Sequence, residues 1–294
     1  MNPTLQKTFW FPKVELAQVN RVSRQREDAS GKGINVTRVL TQLGEPAVHV
    51  TQVGGAGADL FLELARGDKL DVRPVHAEIE IRNCYTLLDA GAGTTTELVE
   101  AGDHVPDGVE DEVRRTVIDL LGGARSLVLS GSKAPGFSSE LYPGLVERAL
   151  AAGLFVLVDV RGEDLIRSLP YRPDVVKINV SEFSVTFLRD QIPEERPTNE
   201  LPDELFAKLA DLSKSGTSFV LTNGSRSTVV AQNGSTELVE IVSAEPVNAI
   251  GCGDAVTAGI LAGWARGLEL GEAVALGHQC AAKNLVLEKP GTIE

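Results

Sequence analysis

The chain is poor in the residues that build covalent or metal frameworks. Its three cysteines, Cys84, Cys252 and Cys280, stand too far apart in 294 residues for a disulfide framework or a CxxC metal site, so reduced thiols are expected. The four histidines, His49, His76, His104 and His278, show neither HExxH nor H-x3-H spacing. No apolar run reaches the roughly 18 residues that a membrane-spanning helix needs. The opening MNPTLQKTFWFPK lacks a basic region followed by an apolar one, which predicts no secretory signal and a cytoplasmic protein. Basic residues are scarce beside acidic ones, 28 against 41, and the formal net charge of −13 argues against nucleic acid or an anionic membrane as partner. An anionic small substrate is still allowed if individual Lys and Arg residues build a local pocket.

What is present is an α/β pattern. From about residue 120 the chain repeats an apolar run, a Gly or Pro turn and an amphipathic stretch, as in βα units on a parallel sheet. Strands are expected at Ser126–Leu129, Phe155–Asp159, Val175–Ile178 and Ser218–Thr222, and helices at Ser139–Ala152, Leu201–Ser215, Asp254–Arg266 and Glu272–Leu287. Ligands in such folds bind at the carboxyl ends of the strands. The first hundred residues differ, with helical Gly33–Leu43 and Ala58–Ala65 among partly polar strands. Those strands, Thr8–Glu15, Asn20–Gln25, Val75–Ile81, Tyr85–Asp89 and Thr95–Val99, predict a small sheet covering a site, within 8–25 and 75–100. One α/β domain over 1–294 with this accessory sheet fits the length.

Two glycine-rich turns carry the chemistry. In Asn248-Ala249-Ile250-Gly251-Cys252-Gly253-Asp254, glycines bracket Cys252 at a helix start, where free N–H groups and the helix dipole can hold a phosphoryl group. Alone, this reads more simply as a tight turn with a helix-capping Asp. In Ser30-Gly31-Lys32-Gly33-Ile34-Asn35, Lys32 can meet an anion and Asn35 can bond sugar hydroxyls, or the segment is simply a capped helix with a solvated Lys. It is not a Walker A loop, and neither a serine-hydrolase elbow nor a dinucleotide fingerprint occurs elsewhere. Cys252 has no identifiable His or Asn partner and reads as a small packing residue rather than a nucleophile.

Together, GKGINVTRVL, VNRV (Val19–Val22), IRNC (Ile81–Cys84), TTELVEAG (Thr95–Gly102), LVLSGSKAPG (Leu127–Gly136), VVKINVSE (Val175–Glu182) and NAIGCGDA resemble the PfkB carbohydrate kinases. The likeness is to their hexose-phosphate branch of tagatose-6-phosphate kinases and 1-phosphofructokinases. It implies a ribokinase-like three-layer α/β fold, with a mostly parallel central sheet flanked by helices and a small β-sheet lid. The implied activity moves the γ-phosphoryl of ATP, with Mg2+, onto a hydroxyl of tagatose 6-phosphate or fructose 1-phosphate. The resemblance makes Asp254 the general base and Gly251, Cys252 and Gly253 the anion hole. Gly31, Lys32 and Asn35 would bind the sugar and Arg82 its phosphate, while Arg21, expected on a lid strand, would reach a neighbouring subunit's substrate in a homodimer formed through the lid. Asn179 and Glu182 would hold magnesium-nucleotide through water, with no direct protein ligand to the metal, and Thr222–Gly224 would form the nucleotide loop.

The sequence also departs from that family. Gln6 stands where a sugar-binding Asp is usual, Ser30 replaces a Gly, Val99 replaces an Asn, and Thr-Asn-Gly replaces Ser-Leu-Gly at 222–224. The strand that precedes Asn-Pro in the family has no counterpart before Asn2, which predicts either an upstream segment or a sheet lacking one interior strand. These departures leave two alternatives beside the sugar-phosphate kinase: a non-catalytic sugar-phosphate-binding protein, and a ribose or nucleoside kinase. Retention of Asp254 argues against the first, and Arg82, Lys32 and the SGSKAPG loop against the second.

Overall fold

The computed structural model describes residues 1–188, 190–241 and 245–294. Along the chain, β1 (Thr4–Phe11) and β2 (Arg24–Ser30) lead to α1 (Lys32–Gln42), β3 (Val48–Val53), α2 (Ala58–Gly67) and β4 (Asp71–His76). Then come β5 (Arg82–Asp89), β6 (Thr94–Val99), α3 (Val109–Leu121), β7 (Ser126–Ser130), α4 (Leu141–Ala151), β8 (Phe155–Asp159) and α5 (Gly162–Ser168). The remainder holds β9 (Val175–Asn179), α6 (Val180–Phe183), α7 (Asp203–Ser213), β10 (Ser218–Asn223), β11 (Arg226–Gln232), β12 (Ser235–Val239), α8 (Cys252–Ala265) and α9 (Leu270–Leu285).

A six-stranded sheet runs β12-β11-β10-β9-β8-β7, parallel from β7 to β10 and antiparallel in the last hairpins. Its inner strands are short and almost wholly buried because helices cover both faces, so apolar residues are needed on each side. Val156, Leu157, Val158, Val176, Ile178 and Phe219 are inaccessible to solvent. Helix α8 is apolar all round, since it packs on the sheet, on α1 and along the length of α9. No helix is long and apolar enough to cross a membrane, among the described residues.

The covering sheet is present, in the order β2-β1-β5-β6; β5 and β6 contain the expected Tyr85–Asp89 and Thr95–Val99, but the first two strands are displaced. β1 starts at Thr4, β2 at Arg24 rather than Asn20, and the polar segment 12–22 is loop. Val75–Ile81 contributes nothing to it; Val75 belongs to β4, which pairs in parallel with β3 as a separate ladder.

The doubt over an interior strand has a structural counterpart. β7 is the edge of the large sheet, β3 and β4 stand apart from it, and β3 and β7 form no ladder with each other. Between them lies an elongated space of about 660 Å3, lined by Val48, His49 and Val50 on one side and Leu127, Val128 and Leu129 on the other. Residues of α1, α3, α4 and α8 also line it, as does Met1.

Candidate active site

Under the four-stranded sheet, at the carboxyl ends of β9 and β10, a pocket of about 390 Å3 gathers Gly31, Lys32, Asn35, Arg82, Asn179, Glu182, Thr222, Gly251, Gly253 and Asp254. Gly251 can cap α8 because its φ of +84° is open to glycine, and its close approach to Gly291 leaves no room for a side chain. Asp254 does not cap the helix. Its carboxylate instead accepts Asn35 Nδ2 at 2.8 Å, which leaves the N–H groups of Gly253 and Asp254, in the first turn, without intrahelical acceptors. Burial pushes Asp254 up to about 6; Lys32 opposes this, nearby Asp159 reinforces it, and the Asn35 hydrogen bond opposes it.

Lys32, at the start of α1, lies 3.4 Å from both Asp159 and Glu182. Asp159 is the dominant cause of its raised proton affinity. Asp159, at one of the strand ends where ligands are expected, and Lys177, which the sequence reading assigned no role, are both almost fully buried. Burial alone would raise the Asp159 pKa, but Lys177, Lys32 and the Thr257 hydroxyl together hold it below the usual carboxylate range. Thr257 Oγ1 donates to Asp159 at 2.9 Å and Ser130 Oγ at 3.3 Å, so this carboxylate ties β7, β8 and α8 together. Lys177 stands so close to the 251–253 turn that a Cβ on Gly253 would come within 3.1 Å of its Nζ. What could have drawn attention to Lys177 was its charge inside an apolar strand.

Asn179 and Glu182 form a capping box on α6: Asn179 Oδ1 accepts the Glu182 N–H at 2.7 Å, and Glu182 reaches back to the Asn179 N–H. Arg82 donates to Thr4 Oγ1 at 3.0 Å from the covering sheet, beside Gln6, Glu97 and Val99. The Gln6 amide is occupied by Thr86 Oγ1 at 2.6 Å. Asn35 is engaged with Asp254 and Arg38 at its two ends.

Two expected positions, Gly224 and Arg21, stand elsewhere, and Cys252 belongs to the glycine turn by its backbone alone. The Cys252 thiol points away from the pocket, donating to Ala281 O at 3.7 Å and lying 3.3 Å from Asn284 Nδ2, as a packing residue would. Gly224 is in the exposed turn between β10 and β11, with the Glu195 side chain against it, and only Thr222 of that segment reaches the pocket. Arg21 lies in the exposed loop before β2 rather than on a strand, because the polar run around it finds no pairing edge.

Comparison with known proteins places the molecule among the carbohydrate kinases, a class of phosphotransferases. The chain belongs to the pfkB family carbohydrate kinases, whose profile matches residues 8–294. It is 28% identical over 265 residues to a tagatose-6-phosphate kinase of Staphylococcus epidermidis, covering 90% of this chain and 83% of that protein. Its fold matches phosphofructokinase-2 from Escherichia coli with a TM-score of 0.87 at 22% identity, over 99% of this chain and 93% of that one. A possible 1-phosphofructokinase from Thermotoga maritima matches with a TM-score of 0.84 at 24% identity, over 98% and 91%. The ribokinase-like fold with its small sheet lid, expected from the motifs, is therefore the fold of this chain.

Proposed function

We propose that the chain transfers the γ-phosphoryl of ATP to a hydroxyl of a ketohexose phosphate, tagatose 6-phosphate or fructose 1-phosphate, giving the bisphosphate. The observation that carries this reading is Asp254: a buried carboxylate with raised proton affinity, adjoining two free N–H groups of the same helical turn. A carboxylate tuned toward neutrality suits a general base, and the N–H groups suit an anion that builds up beside it.

Asp254 takes the proton of the acceptor hydroxyl as its oxygen bonds to the γ-phosphorus. The bond to the bridging oxygen breaks, and ADP leaves with that electron pair. Because charge spreads over the non-bridging oxygens, positioning and electrostatics do most of the catalysis, and Gly253 N–H, Asp254 N–H and Lys177 are disposed to supply them. Arg82 and Lys32 would bind the phosphate the sugar already carries, Gly31 lets that sugar approach the backbone, and Thr222 and the Gly224 turn would border the nucleotide. The family likeness to a tagatose-6-phosphate kinase supports a phosphorylated substrate.

Among the described residues no three His, Cys, Asp or Glu side chains converge as a metal cage. Glu182, with Asn179 beside it, suits Mg2+ held through water and nucleotide phosphates, a donor set magnesium accepts. There it would neutralise phosphate charge. The exposed Leu16, Val19 and Leu98 around the covering sheet fit a homodimer through the lid, which would bring Arg21 toward a neighbouring site. A coupled ADP-release assay across phosphorylated and free ketohexoses tests the reading. Turnover confined to phosphorylated sugars is expected, and ADP release with free fructose or ribose alone would overturn the substrate assignment.

A further inference from the structure

Asn35 can serve Asp254 only if its amide faces the right way. An amide has a donating and an accepting end, and a guanidinium only donates, so the group behind Asn35 decides which end meets the carboxylate. That group is Arg38, one turn further along α1 and 1% exposed. Its Nη1 donates to Asn35 Oδ1 at 3.0 Å, its Nε to Asp68 at 2.8 Å, and its Nη2 to Ala29 O.

Arg38 is in turn clasped by the last turn of chain. Nη1 also reaches Pro290 O at 3.3 Å and Gly291 O at 3.4 Å. Gly291, at φ +61°, is wedged so tightly that a Cβ would lie 2.4 Å from Asn35 Cβ, and a Cβ on Gly251 would lie 2.3 Å from Gly291 N. Gln42 holds the far end, donating to Thr292 Oγ1 at 2.7 Å and accepting Ile293 N–H at 2.8 Å. Lys289 pairs with Asp28 and Asp68 on the other side.

We infer that Arg38 is a positioning residue for phosphoryl transfer: it fixes the Asn35 amide with its NH2 toward Asp254, and segment 288–293 holds it there. This rests on Asp254 being the base. If the Asn35 amide turned, its carbonyl would face the carboxylate, and the proton affinity of Asp254 would climb further. The charged or titratable groups facing Asp254 are Lys32 from α1, Asp159 from β8, Lys177 from β9 and Cys252 on its own helix. Asp68 and, behind it, Lys289 face Arg38, with His49 close by.

The test compares pH profiles of kcat/KM for the sugar phosphate in wild type, Arg38→Lys, Gln42→Ala and Asp254→Asn, with circular dichroism to establish folding. A lysine cannot reproduce the fork, so Arg38→Lys should move the acidic limb up by about half to one pH unit and cut kcat near pH 7 about tenfold. KM for ATP should stay within about twofold, and part of kcat should return above pH 8. Gln42→Ala should shift the limb less, in the same direction. A folded Arg38→Lys protein with the wild-type limb overturns the inference, and if that variant does not fold, an unshifted limb in Gln42→Ala does so. Full turnover in Asp254→Asn would overturn the base assignment together with this inference, whereas an inactive Asp254→Asn beside an unshifted Arg38→Lys would overturn only the role of Arg38.

Discussion

Replacing Asp254 by Asn should make the protein more stable and nearly inactive. The carboxylate sits in the pocket floor with its pKa raised to about 6, so the folded chain binds a proton there more tightly than the unfolded chain, whose carboxylates titrate near ~4. A raised folded value contributes stability that is fully present below the unfolded pKa and lost as pH rises through the folded one. At pH 7 and above, the ionised Asp254 therefore costs about 3 kcal/mol relative to its protonated form. Asn cannot ionise, yet its side-chain oxygen can still accept the Asn35 hydrogen bond. With an unfolding entropy of about 2.1 cal/mol/K per residue over 294 residues, the gain corresponds to a Tm rise of about 5 °C at pH 8, shrinking to nothing near pH 4. Thermal melts of both proteins at several pH values read this directly, since other titrations cancel in the difference. Turnover should fall by about 10²-fold or more. A Tm difference that is the same at pH 5 and pH 8 would refute the buried-charge argument, and unchanged kcat would remove Asp254 from the mechanism.

Further outcomes follow from the same site and fold. In the wild type, kcat/KM should decline on the acid side with a limb near pH 6, because protonated Asp254 cannot accept the hydroxyl proton; a flat profile from pH 5 to 8 would contradict this. Arg82→Ala should raise KM for the sugar phosphate about tenfold or more, with KM for ATP within about twofold, and equal effects on both would show that Arg82 does not read the sugar's phosphate. A segment of about six β-branched residues joined ahead of Met1 should enter the space between β3 and β7, parallel to both, and raise Tm by at least about 2 °C, while a Gly-Ser segment of equal length should not. Equal Tm for the two would show that the space is closed to a strand.

How much of this was legible depends on whether the signal was local. The glycine turns at 31–33 and 251–253 announce helix starts by chain chemistry alone, and the strands ending at Asp159 and Asn179 are short β-branched runs that read the same in any context. Helix α3 and the β11–β12 hairpin were not anticipated. The pattern of α3 is diluted by an acidic first turn and an Arg pair, and β12 is largely exposed, so its polar residues resemble a loop. Lid strand β2 was misplaced because its residues alternate charges whose burial is decided by partners far along the chain. The same holds for the site. Asp254 and Lys32 stood inside motifs, but Asp159 acquires its role only by meeting Lys32, Lys177 and Thr257 across long sequence separations, and Arg38 only by meeting residues 290 and 291.

The pairing of Lys32 with Asp159 and Glu182 bears on residence times. A cation already shared between carboxylates attracts an incoming phosphate weakly, and each anion that binds must draw it away from partners ready to take it back. Glu97 and Glu194 add to that counterweight around the pocket. Such a site gains affinity from the whole shape of its ligand more than from its charge, so a bare phosphate ion should linger only briefly. On the proposed reaction, a bisphosphate product, more negative than the monophosphate it is made from, is an occupant this arrangement is suited to let go.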